Sequence, residues 1–162
     1  MFSFEDRYDL VKRGTNHISN VKVINGGEYI ISSATFPSYF LREKNDVLTA
    51  YTSLDASIFG EYFVSQLNIK KRYIGEEPYC EVTNAYNNSL KNILPKYGVE
   101  VIEIRRKEQN SMPISASRVR EHIRENQMEK ILNLVPKVTY DFLNTEKGKE
   151  IVEKIKTTNT PH

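Results

Sequence analysis

The sequence predicts an α/β chain built on a parallel sheet with helices on both faces. Three observations carry this. β-rich runs alternate with segments of helical periodicity, which is the pattern of βαβ units. Two of those runs, RYIG (72–75) and VEVIEI (99–104), flank a single amphipathic segment. The lengths suit one domain with its own core: 162 residues exceed what a core needs and fall short of two comfortable domains. Residues 1–145 are read as that domain and 146–162 as an appended helix and tail.

The elements follow in order. Residues 4–13 (FEDRYDLVKR) carry Phe4, Tyr8 and Val11 at helical spacing, with Gly14 as a stop signal. VKVI (21–24) alternates as a strand does, and Asn25-Gly26-Gly27 turns the chain into a second β-rich run, EYIISSATF (28–36). Residues 46–54 begin with a short apolar run read as a strand ending near Asp55, and 58–67 (IFGEYFVSQL) as an amphipathic helix. Residues 83–94 form a helix with Thr83 at its N-cap and Pro95 beyond its end. Residues 99–104 alternate cleanly as a strand. A polar loop (105–111) leads to a helix ending near Asn126. Two more helices follow, 128–135 and one with Pro136 at its first position, and a charged helix spans 146–156.

Composition excludes several functions. With 23 basic and 21 acidic residues the net charge is +2, so bulk attraction to nucleic acid or a membrane surface is not indicated. No apolar run approaches the roughly 20 residues that span a bilayer, and no signal-peptide pattern opens the chain. One cysteine, Cys80, cannot form an internal disulfide and is expected to be a small buried residue. A cytoplasmic protein is the expectation. The three histidines and one cysteine have no spacing suited to zinc.

The chemistry concentrates in PISASRVREHI (113–123). If Ser115 is the N-cap, the third helical residue is Arg118; if Ser117 is, it is Arg120. A capping box would put Glu or Gln there, and cations oppose the positive end of a helix. Two hydroxyls, free backbone N–H groups and an arginine fork make a ready site for phosphate. Plain capping, with the arginines turned to solvent, explains the same residues and stays open at this point.

Other positions carry weaker signals. Glu76 and Glu77 follow a strand that ends in Gly75, where ligands gather, and could help hold a metal or contact a ligand; a solvated loop edge explains them at least as well. Thr83, Asn84 and Asn87 lie on one helical stretch and could meet substrate, though Thr83 also explains itself as a cap. Asp55 either faces the cleft or caps the next helix. His122 reads as a packing residue, and His17 as solvated. Arg105-Arg106-Lys107 could reach phosphates or an acidic partner, or form a solvated face.

Ile114-Ser115-x-Ser117-x-Val119-Arg120 resembles the serine–arginine signature of the nucleotidyltransferase superfamily, which binds ATP phosphates. GGEYIISSATFPSYFL (26–41), LDASIFGEYF (54–63) and YIGEEPYCEVTNAYN (73–87) narrow the likeness to the C-terminal part of the citrate lyase ligase family, over residues 4–143. The resemblance implies a three-layer Rossmann-like sheet of nucleotidyltransferase type, lacking its first strand, with a helical C-terminus. It implies an AMP-forming acid–thiol ligase. ATP with Mg2+ activates acetate as acetyl-adenylate, pyrophosphate leaves, and the acetyl group passes to the prosthetic-group thiol of the citrate lyase acyl carrier subunit. Arg120 then neutralises phosphate charge, Ser115, Ser117 and the Ile114 segment orient the phosphates, and Gly75 and Glu76 contact the nucleotide. Arg118 sits at a variable position and is expected to face solvent.

One departure stands out. The superfamily's H-x-G-H phosphate motif is absent, since the histidines are His17, His122 and His162. It would precede residue 1, so the chain reads as a partial one, expected to be incomplete as a catalyst and to expose a sheet edge able to pair with a second copy. Two readings compete. An adenylyltransferase of phosphopantetheine or nicotinamide nucleotide type would share the serine–arginine signature but lack GEEPYCEVTNAYN. A chain that binds nucleotide or carrier protein without turnover would bind ATP and release no pyrophosphate.

Overall fold

The computed structural model describes residues 2–28, 30–32, 35 and 46–158. The chain divides into two compact units, one drawn from residues 1–25 and 107–162, the other from 26–106. Among the described residues there are seven α-helices and two small sheets, one of them parallel.

In the unit of residues 26–106 the organising element is a βαβ crossover. Strand β1 (Lys71–Gly75) leads through a helix at Glu81–Ile93 to strand β2 (Glu100–Ile104), and the strands pair in parallel from Lys71↔Glu100 to Gly75↔Ile104. Ile74 is buried while Tyr73 is exposed, the alternation of a sheet with one covered face. The helix ends in a 3-10 turn, Leu94–Tyr97, and Gly98 then takes φ +74°, the left-handed conformation that reverses the chain into β2. Ala56, Val64, Ile74, Tyr86, Leu90, Leu94 and Val99 form the core. The parallel pair agrees with the expected α/β class, but it holds two strands among the described residues.

The expected strand at 46–54 is instead the front of an α-helix, Asp46–Ile58, which packs on the crossover helix. Its inner stripe mixes apolar and polar residues: Thr52, Asp55 and Ala56 are all fully buried. Thr52 Oγ1 meets Ser89 Oγ of the crossover helix at 2.8 Å, which satisfies both hydroxyls in the interface. The expected helix at 58–67 is a π-helical turn, Phe59–Phe63, continuing that element. Residues 21–24 are not a strand; Val21 and Ile24 are exposed, and among the described residues no strand pairs with them. Of the run 28–36, the described residues 28, 30–32 and 35 form no strand, and the rest lies outside the described residues, as do Asn159 to His162 of the expected tail.

In the other unit, helix α1 (Phe4–Thr15) starts with a capping box: Asp6 N–H donates to Ser3 Oγ and Ser3 N–H to Asp6 Oδ2, both at 3.1 Å. Its exposed face carries Phe4 and Val11, whereas Asp6 is buried and ion-paired with Lys147. That pairing, ahead of burial, holds the Asp6 carboxyl below the usual carboxylate value. Numbering helices in chain order, Asp46–Ile58 is α2 and Glu81–Ile93 is α3. A hairpin follows: β3 (Glu108–Gln109) and β4 (Met112–Pro113) pair antiparallel, and Asn110 and Ser111 both take positive φ in the turn. Then come α4 (Ala116–Arg124), α5 (Met128–Ile131), α6 (Lys137–Leu143) and α7 (Glu146–Thr157). Pro136 is the N-cap of α6, one position earlier than expected. Gly148, Ile151, Val152 and Ile155 share one face of α7 at helical spacing and are buried. With Ile123, Ile131, Leu134 and Leu143 the last three close this unit's core. Among the described residues no helix is long and apolar enough to cross a membrane.

Candidate functional site

The β3–β4 hairpin delivers the chain to α4, and Ile114 N–H ties back to the Lys107 carbonyl at 2.9 Å. Ser115 is the N-cap, in extended conformation (φ −138°, ψ 154°), and its Oγ accepts the Arg118 N–H at 3.2 Å. The first helical bond runs from Val119 N–H to the Ser115 carbonyl, so the N–H groups of Ala116 and Ser117 have no acceptor within the helix. They point out of the helix end, where its dipole is positive and favours an anion.

The two arginines of this turn behave differently. Arg118, expected at solvent, turns back and donates from Nη1 to the carbonyls of Gln109 and Met112, both at 3.3 Å. It clamps the hairpin to the helix. Arg120 donates from Nη2 to Ser117 Oγ at 3.3 Å, so the second serine orients the guanidinium. Burial first, and the nearby Arg124 second, pull the Arg120 guanidinium below its usual pKa. A partly desolvated cation beside a second cation is a site that an arriving anion stabilises. Arg120 also lines a cleft of about 400 Å³ in this unit, together with Val119, Ile123, Leu143 and Arg7. No spacing signal in the sequence pointed to Arg7. His122 Nδ1 lies 3.0 Å from Gln127 Oε1 just past the end of α4, a packing role as expected.

Gly75 and Glu76 belong to the other unit, at the carboxyl end of β1. Their loop is tied down from several sides. Asn87 Nδ2 donates to the Gly75 carbonyl at 2.9 Å, and Glu76 N–H to the Ile104 carbonyl at 2.9 Å. Arg106 donates its N–H to Glu76 Oε2 at 3.3 Å and its guanidinium to Glu77. Glu77 Oε1 accepts the N–H groups of Tyr79 (3.0 Å) and Cys80 (3.2 Å). Cys80 occupies the N-cap position of α3 and is exposed, not buried as expected. Thr83, expected to be that cap, lies within the helix, and the Glu77 carboxylate instead holds the two residues before it, Tyr79 and Cys80. Among the described residues no three of His, Cys, Asp and Glu gather in a way that could hold a metal ion.

Asp55 is neither at a strand end nor a cap. It is fully buried within α2: Oδ1 accepts the Ile31 N–H and the Thr35 hydroxyl, and Oδ2 accepts the Tyr86 hydroxyl, all at 2.7 Å. Burial above all raises the pKa of the Tyr86 phenol, which stays protonated and donates. Arg72 in turn donates to the Tyr86 oxygen at 3.3 Å and stacks on Phe59, 4.1 Å from the ring centroid. This network ties Ile31 and Thr35 to α2 and α3.

Residues 1–143 match the family model described as the citrate lyase ligase C-terminal domain. The chain is 43% identical over 147 residues to citrate (pro-3S)-lyase ligase of Escherichia coli strain K12, covering 88% of this chain and 42% of that protein. The protein of the same name from Klebsiella pneumoniae is 40% identical over 146 residues (88% and 43% covered), and that from Haemophilus influenzae 35% over 149 (88% and 44%). The chain thus spans less than half the length of these curated relatives. No solved structure matches it.

Proposed function

The chain belongs to the citrate lyase ligase family through its C-terminal domain, and from that premise we propose that the start of α4 is the ATP-phosphate site of an AMP-forming acid–thiol ligase. The observation that carries the reading is the Ser115–Ser117–Arg120 arrangement: a capped helix start with unsatisfied amides, and a guanidinium oriented by the second serine. In the reaction proposed, acetate oxygen attacks the α-phosphorus of ATP and pyrophosphate leaves with the bond's electron pair. The thiol of the citrate lyase acyl carrier subunit, as thiolate, then attacks the acetyl carbonyl of the mixed anhydride and AMP departs. No protein nucleophile is needed; positioning and charge neutralisation suffice.

Each residue has a defined task in that scheme. The amides of Ala116 and Ser117 and the Ser115 hydroxyl orient phosphate oxygens, and Arg120 offsets the charge that accumulates as pyrophosphate leaves. Mg2+ accompanies the nucleotide as its counter-ion, and no residue of this chain is assigned to it. A Rossmann-like three-layer sheet is the fold this reading entails.

Calorimetric titration of MgATP tests the assignment. Arg120→Ala should weaken binding by about 1.5–3 kcal/mol, the size of a lost charge-assisted contact. Equal affinity for parent and variant would remove Arg120 from the site.

A further inference from the structure

We propose that Arg7 of α1 is the second guanidinium of the phosphate site, closing a two-arginine clamp with Arg120 across the cleft that both residues line. This rests on the nucleotide reading and adds a binding residue that neither the family match nor the serine–arginine signature supplies.

Among the described residues that line the cleft, about 400 Å³ in volume, the polar side chains are those of Arg7, Arg120 and Thr139. None of these described residues is a carboxylate. The remaining walls are apolar, Val119, Ile123 and Leu143 among them. A multiply charged anion in the cleft can take a forked contact from each guanidinium. Among the described residues Arg7 makes no ion pair, whereas Asp6, beside it in sequence, is already committed to Lys147. The two arginines come from different helices, α1 and α4, so a ligand held by both needs several acceptor oxygens spread along its length. A polyphosphate chain has them; a single carboxylate offers two on one carbon. Arg120 reaches Ser117 from one side and the cleft from the other, so one anion can touch the helix start and Arg7 together.

Binding of MgATP and of inorganic tripolyphosphate to the full chain, and to Arg7→Ala, Arg7→Lys, Arg120→Ala and the double alanine variant, tests the clamp. Thermal midpoints confirm that each variant folds; Arg7 is exposed, so its replacement leaves the core untouched. Arg7→Ala should weaken both ligands by roughly tenfold or more, in the range expected for a charged hydrogen-bonding partner. Arg7→Lys should recover only part of the loss, since an ammonium cannot fork. The two alanine substitutions should combine non-additively if both residues grip one phosphate chain. Loss at Arg120 with no change at Arg7 would overturn the clamp and leave the nucleotide reading intact. No change at either position, or no binding of either ligand to the parent chain, would overturn both.

Discussion

Asp55→Ala should lower the unfolding free energy by about 3–5 kcal/mol, because three donors lose one buried acceptor at once. Its carboxylate is fully buried and receives the Ile31 N–H, the Thr35 hydroxyl and the Tyr86 hydroxyl. Each donor left unmade in the interior costs its own desolvation. Tyr86 is itself buried, so its hydroxyl would lose its acceptor in the interior. Asp55→Asn should be milder, as the amide still accepts at one position. Urea denaturation reads the effect as a lower midpoint at unchanged slope. A loss below about 1 kcal/mol would mean that the network does not hold this unit together.

Gly148→Ala should cost about 3 kcal/mol, at the upper end for an overpacked site. A Cβ there would lie 2.0 Å from the Phe142 carbonyl oxygen and 2.6 Å from Leu143 Cα. Both obstacles are backbone, so no side-chain rotation relieves the clash. They belong to the end of α6, and Gly148 N–H is bound to Thr145 Oγ1 at the start of α7. Any shift that admits the methyl group therefore opens the α6–α7 junction or breaks the cap. Lys149→Ala, one residue on and exposed, is the control and should change stability by less than about 0.5 kcal/mol. Similar thermal midpoints for both variants would contradict the close approach.

The sequence was most readable where one local force decides the outcome. The strand at Glu100–Ile104 alternates and follows a left-handed glycine, so pattern and turn agree. The α4 start was legible because an N-cap serine followed by cations is chemically odd, and Ser115 proves to be the cap. Residues 46–58 were misread for a definite reason. Val47, Thr49 and Thr52 favour extended chain by their branching, and the buried stripe includes Thr52 and Asp55, so apolar counting finds no helical face. Those polar groups are buried because partners from distant sequence, Ser89 and Tyr86, satisfy them. No window of local sequence contains that information. VKVI fails in the opposite way: alternation alone makes no strand without a neighbour to pair with. At Thr83 a good capping residue was outbid by the Glu77 carboxylate, which anchors the chain two residues before the helix begins. Arg118 and Arg7 show the same limit within the site, since one is spent on hairpin carbonyls and the other reaches the cleft from a helix more than a hundred residues away in sequence.

The central claim is that the first turn of α4 receives the phosphates of ATP. Amide chemical-shift mapping by NMR during titration with MgATP addresses it directly, because the donors in question are backbone N–H groups. The account predicts saturable shifts largest at Ala116, Ser117 and Arg118, diminished in the Arg120→Ala variant. Saturable shifts that leave these amides unmoved and cluster elsewhere would contradict it.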